Sequence, residues 1–300
     1  MSVSDSVSDS SSKSSKSRSR SAYGEGAARL AAMNMVLHGM VKPGAESPIY
    51  VGDSLTADPG NRYSVVLANP PFGTKASNTF VTEDGKAGKN NLAILRPDFW
   101  VTTSNKQLNF VQHIKTILDI NGRAAVVLPD NVLFEGGAGE TVRQRLLKEF
   151  DLHTILRLPT GIFYAGGVKA NVLFFEKKPA GDKPWTQETW VYDFRTNMHF
   201  TQKTKPLKRV DLEDFVQAYL AGERNKRQES ERFKRFSYDE IIARDKTNLD
   251  IIWLKDESVI DAADLPAPAL IAQEIQESLQ SAVNKIEAIV DSLKATSQDD

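Results

Sequence analysis

Tyr63-Ser64-Val65-Val66-Leu67-Ala68-Asn69-Pro70-Pro71-Phe72-Gly73 is the stretch on which the fold turns. Its first six residues form a short, continuously apolar run of strand length, the pattern of a buried strand. The run stops abruptly, because two successive prolines fix φ and remove backbone donors. Working outward, Ala124–Leu128, Leu152–Leu158 and Asn171–Glu176 are runs of the same kind. Ile49–Val51 is a shorter one that ends in Gly52-Asp53. Helical spacing lies between them: Ala27–Gly39, Asn109–Ile120 and Thr141–Phe150 each carry apolar residues three and four apart. Such alternation predicts an α/β domain with a largely parallel sheet. In that architecture ligands gather outside the carboxyl ends of the strands. Asp53, Asn69–Phe72 and Pro129–Asn131 all fall there, which is the first functional signal.

Composition excludes several classes. The 300 residues are 40% hydrophobic and 26% charged, with 38 basic against 39 acidic side chains, so the chain is neither fibrous nor wholly disordered. It contains no cysteine, which removes disulfides, thiolate metal sites and cysteine nucleophiles. The four histidines are scattered without metal-ligand spacing, so no metal is expected. No apolar run approaches the ~20 residues of a spanning helix, so a cytoplasmic chain without membrane contact is expected. A net charge of −1 means that any DNA affinity must come from a local patch or a partner subunit.

The chemistry concentrates at Asn69-Pro70-Pro71-Phe72. The Asn69 side chain offers an acceptor oxygen and the Asn69–Pro70 junction a carbonyl acceptor, and the prolines hold the two rigidly. Two fixed acceptors suit an exocyclic amine, which has two hydrogens to donate. Phe72 supplies a flat face for a heteroaromatic ring. The plainer alternative is a proline turn with Asn69 capping a loop and Phe72 in the core. The preceding apolar strand, and Gly52-Asp53 at another strand end, favour the site.

These residues resemble the catalytic motif of amino-methylating DNA methyltransferases of the N6-adenine class. The surroundings are similar to the modification (M) subunit of type I restriction-modification systems. The likeness rests on Met33–Gly39 (MNMVLHG), Gly52-Asp53-Ser54-Leu55, Thr103–Lys106 (TSNK) and Gly122–Phe134 (GRAAVVLPDNVLF). It continues through Leu156–Phe175 and Arg244–Leu254 (RDKTNLDIIWL). It implies a Rossmann-like class I methyltransferase sheet followed by a C-terminal helical region. It also implies methyl transfer from S-adenosylmethionine to a flipped adenine of double-stranded DNA, within a complex holding specificity (S) and restriction (R) subunits. Asn69 and the Pro70 carbonyl would bind the adenine amino group, and Phe72, beside Pro71, would stack on the base. Asp53, with Ser54 and Leu55, would hold the adenine end of the cofactor. Phe163 or Tyr164 would form a second wall of the base pocket, with core packing standing equally beside that reading.

The chain departs from the family in one place. Family members carry an upstream strand and glycine-rich cofactor loop, and a further strand ending in a ribose-binding acid. Residues 1–22, of which twelve are serine, stand where these belong. The chain therefore reads as an N-terminally truncated member with an incomplete sheet, in which Tyr63–Ala68 would be left as an unpaired apolar edge. Alone it is expected to bind S-adenosylmethionine weakly. The alternative function is an inactive remnant that only contacts the S subunit. The division expected is a disordered tail over 1–22, a partial catalytic domain over 23–205 and a helical subunit-interaction region over 206–300. In the last, Ile271, Ile275, Leu279, Val283, Ile286, Val290 and Leu293 mark one face of a long helix, fitting either its own domain or subunit assembly.

Overall fold

Tyr63–Ala68 does form a strand, β1, and it lies at the edge of its sheet. This computed structural model describes residues 15–42, 44–45, 49, 51–73, 77–81, 87–91, 93–163, 168–220 and 222–256, and isolated helical positions between 272 and 286. For 15–25, 77–81 and 87–91 it describes the backbone only. In chain order the helices are α1 (Ser15–Leu37), α2 (Lys106–Ile117), α3 (Asn131–Phe134), α4 (Ala138–Glu149), α5 (Glu213–Tyr219) and α6 (Tyr238–Ile242). The remaining strands are β2 (Ser77–Val81), β3 (Ala87–Asn91), β4 (Leu118–Pro129), β5 (Phe150–Arg157), β6 (Ala170–Lys177), β7 (Glu188–Asp193) and β8 (Phe233–Ser237). Six of them form one sheet in the order β1-β4-β6-β5-β7-β8, while β2 and β3 pair by themselves.

The sheet is mixed rather than largely parallel. β1 runs parallel to β4, with Ala68 opposite Val126, but β4 and β6 are antiparallel, with Pro129 opposite Ala170. Burial follows position in the sheet. In β5 every residue but Asp151 is buried, whereas Val65 and Leu67 of β1 are 48% and 79% exposed. Among the described residues only β4 pairs with β1, which stands at the edge of the sheet. One close approach holds β1 in place. A Cβ at Gly122 would stand 2.9 Å from the carbonyl oxygens of both Tyr63 and Asp119.

Several expectations need correction. Ile49–Val51 forms no strand among the described residues, and Val51 is exposed; a run of three residues is shorter than a usual strand. α1 begins at Ser15, so residues 15–22 of the serine-rich segment are helical. α2 ends at Ile117, three residues early, because β4 starts at Leu118. β2 and β3 form an antiparallel pair, with Ser77 opposite Asn91. Strands β7 and β8 were not expected, and β8 lies within the region read as helical. In the same region α5 and α6 are helical, the latter with a capping box between Ser237 and Glu240.

By contacts the chain divides into two units. The first comprises Met1–Leu156, Ala170–Val191 and Arg235–Asp250, and the second Arg157–Lys169, Tyr192–Lys234 and Ile251–Asp300. The core of the first is built from Leu108, Val126, Leu133, Leu146, Ile155 and Phe175. That of the second gathers Tyr192, Phe215 and Phe233, with ring centroids 5.2 and 5.9 Å from Tyr192. A buried ion pair, Arg157 to Asp193 at 3.2 Å, also lies in the second unit. No helix among the described residues is long and apolar enough to cross a membrane.

Candidate active site

Parallel pairing of β1 with β4 puts their carboxyl ends on the same side of the first unit, and β4 runs three residues past the position opposite Ala68. Asn69–Phe72 therefore leaves β1 alongside Val127–Pro129. Asn69 is exposed, Pro70 buried, Pro71 exposed and Phe72 half-buried. The Asn69 amide makes no hydrogen bond to the described residues, so it caps no loop there. Its oxygen remains available as an acceptor. The buried Pro70 anchors the turn between two exposed neighbours.

A polar web supports the adjoining end of β4. The Asn171 amide donates to Asp130 Oδ1 at 2.8 Å. The Asn131 amide donates to Gln107 Oε1 at 3.2 Å and to Glu135 Oε1 at 3.3 Å. The other Glu135 oxygen accepts from the Asn105 amide at 2.9 Å. Asn105 in turn caps α2, accepting from the amides of Gln107 and Leu108. Helix start, strand end and the α3 turn are thereby locked together, which is how a rigid platform forms beside Asn69.

The turn bearing Asp53 is held differently. Asp53 Oδ1 accepts from the Leu55 amide at 3.0 Å, and its carbonyl accepts from the Thr56 hydroxyl at 2.7 Å. One carboxylate oxygen thus shapes the turn, and the other has no partner among the described residues. Leu55 is buried, and the Ser54 carbonyl accepts from Arg96 Nη1 at 3.3 Å. An exposed carboxylate with one open oxygen fits an amine donor such as the adenine end of S-adenosylmethionine.

Arg96 is the residue that sequence reasoning missed. It is buried, pairs with Asp98 through Nε and Nη2 at 3.0 and 2.7 Å, and lies over the Phe99 ring at 4.3 Å. Its Nη1 also faces His113 Nδ1 at 3.1 Å. Arginine has no lone pair to offer, so Nδ1 is the acceptor and His113 carries its proton on Nε2. Asp98 also accepts from the Thr116 hydroxyl. Burial, and then the Arg96 charge, hold His113 below its ordinary value of 6.5, against the opposing pull of Asp98 and Asp58. Between that lowered value and 6.5 the unfolded chain binds the extra proton, so stability falls as pH drops through this window and is full above it. His113→Gln is expected to flatten that slope in urea titrations from pH 7 to 5. An unchanged slope would place the acid sensitivity elsewhere.

The remaining expected site residues fall as follows. Phe163 is half-buried in the second unit, and Tyr164 lies outside the described residues. The loop before Phe163 is tightly held, since Gly161 has φ +84° and a Cβ there would stand 2.1 Å from the Phe200 carbonyl oxygen. Outside these positions, Gly136 and Gly139 serve packing: Cβ atoms there would come within 3.2 Å of Lys246 and 3.1 Å of Arg143.

Comparison with known proteins adds to this geometry. The sequence profile of the N-6 DNA Methylase family matches residues 6–256. The methylase subunit of the type I restriction enzyme EcoKI from Escherichia coli (strain K12) is 39% identical over 92% of this chain and 56% of its own length. The Escherichia coli EcoEI methylase subunit is 34% identical over 74% of this chain and 42% of its own. The chain thus spans about half the length of the curated relatives it matches. Among solved structures, the EcoKI M protein superposes with a TM-score of 0.64 at 37% identity, covering 88% of this chain and 58% of that one. A chain from a type I restriction-modification complex gives 0.58 at 25% identity, over 88% and 51%.

Proposed function

Because this chain belongs to the N-6 DNA methylase family, with a class I methyltransferase fold, we infer that it is the adenine-methylating component of a type I restriction-modification system. The observation that carries this is the unspent Asn69 amide at the carboxyl end of β1, braced by two prolines. Asn69 Oδ1 and the carbonyl beside Pro70 accept from the amino group of an adenine. Their pull raises electron density on the nitrogen and orients its lone pair. Phe72 stacks on the ring, which must leave the duplex to expose that amine. When bound, S-adenosylmethionine supplies an electrophilic methyl group. Asp53 holds the cofactor's own adenine amine through its open carboxylate oxygen, with Ser54 and Leu55 shaping the turn. The chain's contribution is positioning and electrostatics. Double-stranded DNA, a specificity subunit and a restriction subunit are the partners this role requires.

The test is ultraviolet crosslinking of radiolabelled S-adenosylmethionine to the purified chain, repeated with Asp53→Ala, followed by a methyl-transfer assay on duplex DNA. Label lost in the variant, with N6-methyladenine as the product, supports the reading. Methyl groups on cytosine or on protein would overturn it. A second reading makes the chain only an interaction partner of a specificity subunit. It is favoured by the exposed edge of β1 and by Leu279, Val283 and Ile286, three expected stripe residues at helical, exposed positions. A folded chain that takes no label supports this second reading.

A further inference from the structure

A cavity of about 460 Å³ opens in the first unit at the other end of β4 from Asn69. Its lining includes Lys115 of α2, Arg145, Lys148 and Glu149 of α4, Lys177 at the end of β6 and Lys178 just after it. Five cations and one carboxylate share a space large enough for a small phosphate ester. Two of the cations are paired, Arg145 with Glu149 at 3.3 Å and Lys178 with Glu176 at 2.7 Å. The other three make no ion pair among the described residues. Lys177 Nζ donates to the carbonyls of Lys115 and Leu118 at 3.0 and 2.7 Å. Lys115 donates to the Asp98 carbonyl and lies 5.3 Å from the Trp100 ring centroid. Lys148 is exposed and makes no ion pair among the described residues. Burial pushes the Lys115 and Lys177 ammonium groups down; Glu149 and Asp98 oppose this at Lys115, where Arg96 and Arg145 add to it, and Lys115 adds to it at Lys177 against Asp119 and Asp58. Half-buried cations that repel one another across a cavity are relieved by an anion placed between them.

We propose that this cavity binds a phosphate group. The site is separate from the Asn69 turn. β4 begins at Leu118 and ends at Pro129, so at ~3.3 Å per residue the two ends stand on the order of 35 Å apart. The neutral overall balance, −1 in net charge, makes such a local excess stand out. The group comes either from a free phosphate compound or from the backbone of a DNA duplex, and the same cations serve both.

Calorimetry on the full chain with inorganic pyrophosphate, and separately with a 20-base-pair duplex, tells these sources apart. Lys148→Gln is the variant of choice, because Lys148 is exposed and holds no backbone group, whereas Lys115 and Lys177 brace the end of α2. One-to-one pyrophosphate binding, weakened about tenfold in Lys148→Gln, supports the free compound. Duplex binding alone, with its salt slope falling by about one in the variant, supports the DNA backbone. Absence of binding to both probes, or binding that the variant leaves unchanged, overturns the proposal.

Discussion

Asn69→Ala is expected to lower methyl transfer to adenine by about 10²–10³-fold while leaving the fold intact. The amide oxygen is one of two acceptors aimed at the reacting amine, and acceptors that act at the reacting atom carry effects of this size. The exposed amide makes no hydrogen bond to the described residues, so its removal costs the folded chain none there. A shift within about 0.5 kcal/mol is expected for such an exposed site. Single-turnover methylation in the assembled complex, with a parallel urea titration, separates the two effects. Asn69→Asp is the informative companion, since it keeps an acceptor but adds a charge. A variant that loses stability and activity together would mean that Asn69 is structural after all.

Arg143→Ala carries the largest expected stability loss. Arg143 is 2% exposed, and its guanidinium donates to four carbonyls: Thr247 at 3.0 Å, Val132 at 2.9 Å, Glu135 at 2.7 Å and Lys246 at 2.6 Å. Burial pushes it down to about 10, still fully charged at neutral pH. Truncation strands four acceptors. Even at about 1 kcal/mol for each, the cost is about 4 kcal/mol, a large part of a domain's stability. The same clamp holds Lys246 and Thr247 at φ of 53° and 51°, a left-handed conformation that needs such support. Arg143→Lys is expected to fall between, because one ammonium cannot span the fork. The urea midpoint measures both, and an Arg143→Ala chain within about 1 kcal/mol of the parent would refute the clamp.

Arg143 shows where sequence reading stops. Thr141–Phe150 is legible as a helix because its apolar spacing is local, but nothing in that spacing marks one arginine as the tie to residues 246 and 247. The same holds for Arg96, whose partners His113 and Ser54 lie 17 and 42 positions away in the chain. β8 reads Phe-Lys-Arg-Phe-Ser, too short and too charged to announce a strand, and it forms because an open edge beside β7 accepts it. Ile49–Val51 is the converse: apolar enough for a strand, yet neither Ile49 nor Val51 is in one. The two prolines after Asn69 were readable because their effect on the backbone is intrinsic to the residue.

What the sequence determined by itself was whatever depends on neighbours along the chain: the alternation of strand and helix, the abrupt end of β1, and the acceptors of Asn69-Pro70. Helical period, proline geometry and side-chain chemistry all act within a few residues. Only the tertiary structure decided that β6 runs antiparallel to β4, and that Arg96, Arg143 and the cations around Lys177 converge. Those outcomes depend on which segments pair and which charges are buried together, and pairing between distant segments is settled by packing of the whole sheet.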